Sequence, residues 1–466
     1  MPQETRIEKD SMGPMTVPAH ALWGASTQRA VENFPISGYR FGRRFIRALG
    51  LVKQAAAQAN EQLGAVPSEK ARPIVQAAQE VIDGRLDEHF VVDVFQTGSG
   101  TSTNMNANEV IANRAIQIVG GQVGSKDPIN PNDHVNQSQS SNDVIPTAMH
   151  VSASEALKED LIPALEHLAG AMEDKAKAFD EIVKIGRTHL QDATPIRLGQ
   201  EFSGYAAQVR RGVKRAHKAI KALRELPIGG TAVGTGLNTH RDFGKTVAEL
   251  LSKKTKIEFV EAANHFEAQH AKDEFVEAMG LLRTIAISLG KIANDIRLLG
   301  CGPRCGIGEL KIPAVQPGSS IMPGKVNPVM CEMVLQVLAH VVGSDATVAH
   351  AGVTMGTFDL HIGMPVMAHH FLEAARIMSQ AARVFADRCV AGLEADADRA
   401  GEFVERSLAM CTSLAPVIGY DRAAQIAKKA FAANKTVRQV ALEEKVLPEA
   451  RLNELLDARA MTEPSE

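Results

Sequence analysis

Aromatic side chains are scarce in this 466-residue chain: 4% of residues, with one Trp and three Tyr. Strand-rich folds draw on aromatic and β-branched runs, so a β-rich architecture is disfavoured, while abundant small side chains let helices approach closely. Cysteine is sparse too. Cys301, Cys305, Cys331, Cys389 and Cys411 are odd in number and all lie beyond residue 300. That is a poor match to a disulfide framework, and a reduced, cytoplasmic setting fits best. Neither sign of charge is in excess: 51 Lys and Arg face 54 Asp and Glu, a net charge of -3. No basic field exists to hold a phosphate backbone, so nucleic acid is not an expected partner. No segment is expected to approach the roughly 20 apolar residues of a membrane helix, and none is expected to span or bind a membrane. The opening MPQETRIEKDS carries both charge signs and no apolar stretch, unlike a secretory signal, and its acidic residues are unlike a transit peptide.

What is present is 45% hydrophobic and 23% charged residues, the composition of a soluble globular protein with a sizeable core. Apolar residues at three- and four-residue spacings predict an αα-hairpin over 45–64 and beyond Pro67, closed by Gly64. The same period continues over 144–180, 200–226, 267–299, 326–353 and 366–393, segments of roughly 27 to 37 residues. These are far above the usual 10 to 14. An all-α, mainly helical chain with a long central bundle is expected, its apolar stripes wide enough to pack against other subunits. Polar, Gly-rich segments separate the helices, and function is expected there. After about residue 395 shorter charged helices suggest a small C-terminal domain. The expected division is 1–140, 141–395 and 396–466.

Three of these segments carry anion-binding chemistry. In Gly318-Ser319-Ser320-Ile321-Met322-Pro323-Gly324-Lys325-Val326-Asn327-Pro328 two hydroxyls sit between glycines, ahead of a cation and an amide that grip carboxylates. Five residues separate its glycines and Val326 follows the lysine, so it is not a nucleotide-binding P-loop. Ser99-Gly100-Thr101-Ser102-Thr103-Asn104 precedes a helical run, and Ser138-Gln139-Ser140-Ser141-Asn142-Asp143 repeats the design. Hydroxyls and free N–H groups at a helix N-terminus bind anions, although each alone is also what an ordinary N-cap requires. Thr188-His189-Leu190-Gln191-Asp192 places an imidazole in a polar turn, where acid–base work needs a partner to set its tautomer. Cys301-Gly-Pro-Arg-Cys305 lacks the C-x-x-C spacing of zinc and iron–sulfur sites, and Gly234-Thr-Gly236 lacks the third glycine of a dinucleotide fold. No metal and no cofactor is expected.

Taken together, SGTSTNMNANEVIANRA (99–115), NDHVNQSQSSNDVIPTAMH (132–150), GRTHLQDATP (186–195), GGTAVGTGLN (229–238) and GSSIMPGKVNP (318–328) resemble the fumarase/aspartase superfamily, specifically the class II, iron-independent fumarate hydratases. The resemblance runs from RIEKDSMG (6–13) to VIGYDRAAQIAKKA (417–430). Aspartate ammonia-lyase is the nearest rival; it usually has Gln where His189 stands and a different run at Thr147-Ala148-Met149-His150. The resemblance implies a three-domain helical homotetramer whose active sites are each assembled from three chains and act on a small dicarboxylate. It implies Ser319 as the base that removes the C3 proton of malate, His189 as the group handling the departing water, and Glu332 as its acidic partner. Ser99, Gly100, Thr101, Ser140, Ser141, Asn142, Thr188, Ser320, Lys325, Val326 and Asn327 match carboxylate-binding positions.

Two departures stand out. The family's secondary dicarboxylate site usually has His before Pro-Asn-Asp and Arg three residues earlier; here Asn130 precedes Pro131, Asn132 and Asp133, and Asp127 replaces the Arg. Losing two basic groups weakens anion binding there. The family's GNFELN-x-x-KPVM run is GTFDLHIGMPVM (356–367), with His361 and Met364 for Asn and Lys. Reversible hydration of fumarate to L-malate, the tricarboxylic acid cycle step, is the expected activity; an ammonia-lyase or a hydratase accepting mesaconate, a methylated fumarate, is the alternative.

Overall fold

The computed structural model describes residues 4–464. It is 62% helical and 8% strand, in agreement with the all-α expectation. A hairpin of β1 (Thr5–Asp10) and β2 (Gly13–Pro18) leads into α1 (Ala25–Asn33), α2 (Arg43–Gln62), α3 (Ser68–Ile82), α4 (Thr101–Ile118) and α5 (Ser141–Glu155). A π-turn joins α5 to α6 (Ile162–Ala178), followed by a second hairpin of β3 (Val183–Thr188) and β4 (Gln191–Arg197). Then come α7 (Leu198–Ala222), α8 (Phe243–Thr255), the short α9 (His265–His270), α10 (Asp273–Leu299), α11 (Val329–Thr354) and α12 (Met364–Arg388). Short helices α13 (Ala397–Arg406), α14 (Ala415–Ile418), α15 (Tyr420–Ala433), α16 (Val437–Glu443) and α17 (Glu449–Leu455) complete the chain.

The chain divides into two compact units, one of residues up to 163 with 214–284 and 339–379, the other of 164–213, 285–338 and 380–466. In the first, α2 packs on α3, α5 and α8. Phe45, Leu49, Val52, Ala56 and Ala59 recur every three or four residues and are buried, the stripe that drives an amphipathic helix into a core. A Cβ at Gly50 would lie 3.0 Å from Ile82, so the α2–α3 approach depends on that glycine. Gly64, at φ +74°, closes α2 as expected. In the second unit, Ile185 of β3 packs with Val404, Met410, Leu414, Ile426, Val440 and Leu452 of the C-terminal helices.

Three expectations need correction. The helix read over 267–299 is two helices, because Ala271 is extended at ψ 154° and Lys272 Nζ turns back to the carbonyls of Ala268 and Gln269, 3.0 Å each. The segment 186–192 is not a plain connection but the end of the β3–β4 hairpin, paired Thr188 to Gln191. Finally, α11 does have the length and composition of a membrane span, with mean hydropathy 1.3 over its most apolar window, of which 28% is buried. Glu332, Gln336, His340, Ser344 and Asp345 interrupt the apolar run of α11 without lowering its average below that of a span.

Candidate active site

In the first unit the structure brings two predicted segments together. Gly100 is the N-cap of α4, earlier than the helical run had suggested, at φ +74°. A Cβ there would meet Ile145 of α5 at 2.9 Å, so glycine is needed for both the backbone conformation and the approach of α5. Ser99, buried, has its Oγ 2.8 Å from Thr101 Oγ1. From α4, Asn104 Nδ2 donates to Ser141 Oγ at 3.2 Å, linking the segments directly. Ser140 caps α5 by accepting from Asn142 N at 3.2 Å, and its own N–H donates to Asp143 at 2.9 Å, a capping box. Asn142 Nδ2 donates to Ala232 O at 2.8 Å.

Sequence reading missed the frame beneath these donors. Asp143 is fully buried and also accepts from Gly229 N and Thr231 N at 3.1 and 3.0 Å. Burial pushes its carboxyl up to about 6 against the pull of those N–H groups. Lys53 of α2 donates to Asn136 Oδ1 and Gln139 Oε1. The available signal was a lysine inside an apolar helical stripe. The 356–364 turn supports the same region: Gly98 O accepts from Met364 N at 3.2 Å, and a Cβ on Gly98 would lie 2.0 Å from Ile362 O. His361 and Met364 are both buried. His361 accepts from Gly363 N and lies 3.1 Å from Ala351 O, and burial pushes its imidazole down to about 4. These two replacements therefore fill the interior beneath the turn. A cavity of about 730 Å³ nearby is lined by Phe95, Gly98, His350, Ile362 and Val366 among others, and is too apolar to hold a dianion.

In the second unit, His189 and Leu190 form a two-residue hairpin turn at φ +56° and +62°. Positive φ at both positions is the geometry such turns need for strand twist, but neither residue is glycine, so the turn stores strain. It presents His189 and Thr188 to solvent. The hairpin is anchored behind by Arg187, bidentate to Glu309 at 2.8 and 2.9 Å, and by Lys184, 3.0 Å from Glu201 and 3.4 Å from Glu309.

The serine segment is a loop closed on itself. Gly318 N donates to Lys325 O at 2.9 Å and Asn327 Nδ2 to Gly318 O at 2.7 Å. A Cβ on Gly318 would lie 2.5 Å from Lys325 O. Ser319 Oγ accepts from Ile321 N at 3.2 Å and Met322 N at 3.0 Å, two fixed dipoles that favour an alkoxide over a hydroxyl. Ser320, Lys325 and Val326 are exposed, and Asn327 is half-buried. Glu332 is exposed in the first turn of α11. Among the described residues, no ion pair within the chain joins it to His189.

At the predicted secondary site, Asn130 Oδ1 accepts from Asn132 N at 2.8 Å and Asp133 N at 3.3 Å, so the backbone donors are taken by the chain itself. Asn130 N donates to His134 Nδ1, and His134 Nε2 lies 2.9 Å from Lys70 Nζ. Pro131 is buried and Asn132 and Asp133 are exposed.

Comparison with known proteins gives a consistent result. Residues 13–343 match the family described as Lyase and residues 410–463 that described as Fumarase C C-terminus. Over 462 residues the chain is 57% identical to a class II fumarate hydratase of Halobacterium salinarum, covering 99% of this chain and 98% of that protein. It is 53% identical to one of Corynebacterium glutamicum, with 98% and 97% covered. A class II fumarase of Schistosoma mansoni superposes with a TM-score of 0.96 at 36% identity, covering 99% and 100% of the two chains. The fumarate lyase:delta crystallin of Brucella melitensis bound to cobalt gives 0.95 at 46% identity, also over 99% and 100%.

Proposed function

Because the chain belongs to the lyase family, among the class II fumarate hydratases, we propose that it reversibly hydrates fumarate to L-malate, by anti addition and elimination, without a metal. In the dehydrating direction Ser319 Oγ, as alkoxide, takes the C3 proton of malate. The electron pair moves into the adjacent carboxylate, giving a carbanion stabilised as its aci-carboxylate form. It then forms the C2–C3 double bond as the C2 hydroxyl leaves, protonated from the side of His189, as water. Ser99, Gly100, Thr101, Ser140, Ser141, Asn142, Thr188, Ser320, Lys325, Val326 and Asn327 bind the two carboxylates. Their donors act where negative charge grows in the transition state. Glu332 pairs with His189 across chains and orients its imidazole.

The observation that carries this reading is Ser319 Oγ held by two backbone N–H groups in a loop flanked by Gly318 and Lys325. Sites built from three chains of a homotetramer are supported by the exposed, mutually unpaired His189 and Glu332 and by an apolar α11 that its own chain leaves largely uncovered. The three-domain division at 140 and 395, a cytoplasmic setting and a place in the tricarboxylic acid cycle belong to the same proposal. The Asn130–Asp133 site is proposed to have lost dicarboxylate binding. Replacing Ser319 with Ala should lower kcat by ~10²- to 10⁴-fold with circular dichroism and assembly unchanged. Turnover within a few-fold of wild type would remove Ser319 as the base.

A further inference from the structure

Lys53 lies in the apolar stripe of α2 and none of its surface is exposed. An ammonium in such a place is unfavourable unless its charge has something to act on. Its Nζ is 3.0 Å from Asn136 Oδ1 and 2.9 Å from Gln139 Oε1, both neutral acceptors. Asn136 Oδ1 also receives the amides of Asn104 and Asn108 at 3.1 Å each, and Asn136 Nδ2 donates to Gln139 O. The ammonium thus grips the residues leading into Ser140, while Asn104 carries the same network to Ser141 Oγ. The carboxylate acting on Lys53 is that of Asp143. That group is already committed to the N–H groups of Ser140, Gly229 and Thr231. Burial pushes the ammonium down to about 7, as expected of a cation without a contacting anion.

We propose that Lys53 is a positioning residue for carboxylate binding: through Asn136 and Gln139 it fixes the Ser140–Asn142 segment, and its charge makes that segment attractive to a dianionic substrate. Lys53 does not itself touch substrate. The inference rests on the reading of Ser140–Asn142 as carboxylate contacts. α5 begins at this segment, so the protonated amine adds positive charge behind a helix N-terminus that itself supplies only about half a charge.

The test uses the full-length enzyme and three variants. Lys53→Met should raise KM for fumarate and L-malate, and Ki for the unreactive dicarboxylate succinate, together by ~10-fold or more, with kcat within about 3-fold. A residue serving only the core would change melting behaviour while leaving KM and Ki of the folded enzyme at wild-type values. Lys53→Met leaves buried acceptors unpaired, so Gln139→Glu is measured beside it: it keeps Lys53 but sets an anion against it, and should raise KM and Ki in the same direction. Wild-type KM and Ki in Gln139→Glu, or in folded Lys53→Met, overturn the proposal. Asn142→Ala separates the two levels. If it leaves KM and Ki unchanged, the carboxylate-site reading fails; if it raises them while the Lys53 and Gln139 variants do not, the role of Lys53 fails.

Discussion

Ser319 and His150 show what single residues contribute. Two backbone N–H groups of its own loop donate to Ser319 Oγ and so favour its alkoxide over its hydroxyl, a feature visible only once the loop is folded, although the Gly-flanked serines pointed to the segment. His150 is buried on α5 with Nδ1 2.8 Å from Glu225 O, and burial together with the charge of Lys272 pushes its imidazole down to about 4. An unfolded histidine titrates near 6.5. As pH falls from 6.5 to 4 the unfolded state therefore binds the proton first, and the folded state loses stability; above 6.5 this contribution is constant. Urea unfolding of wild type and His150→Gln at pH 7 and pH 4.5 should show the variant losing ~1–2 kcal/mol less on acidification. Equal losses would mean that His150 is not held neutral. The buried partners Lys53, Asp143 and Asn136 were not legible as a network, because residues 83 to 90 positions apart meet only through packing of α2, α4 and α5.

At the scale of elements, the long helices were legible because three- and four-residue periodicity survives over many turns. The β3–β4 hairpin was not. Its tip, His189-Leu190, uses left-handed conformations normally signalled by Asn-Gly or Gly, so the sequence lacks the usual marker. The hairpin persists because Arg187 and Lys184 pair with Glu309, whose side chain is fully buried. Glu309→Ala would leave the largely buried Arg187 without its carboxylate, while Lys184 keeps only Glu201. It should destabilise the protein by ~3–5 kcal/mol in chemical unfolding and lower kcat by displacing His189. A loss below ~1 kcal/mol would contradict this role for Glu309.

At the scale of the molecule, assembly is the feature the single chain leaves open. Along α11 the exposed positions Gln336, Ala339, Gly343, Ala346, His350 and Val353 recur every three or four residues, with small side chains at the centre. Such a face suits close helix–helix packing. Within the chain a Cβ on Gly343 meets nothing within 4 Å. Gly343→Leu should therefore fold yet shift a tetramer toward smaller species in light scattering, with loss of activity if sites are shared. An unchanged tetramer would place the interface elsewhere. Metal-independent hydration of fumarate is checked by following the ultraviolet absorbance of fumarate in chelator-containing buffer with purified protein. L-Malate, L-aspartate and mesaconate are offered separately. A class II fumarate hydratase yields fumarate from L-malate and none from L-aspartate; fumarate from L-aspartate alone, or no reaction with L-malate, would overturn the hydratase assignment.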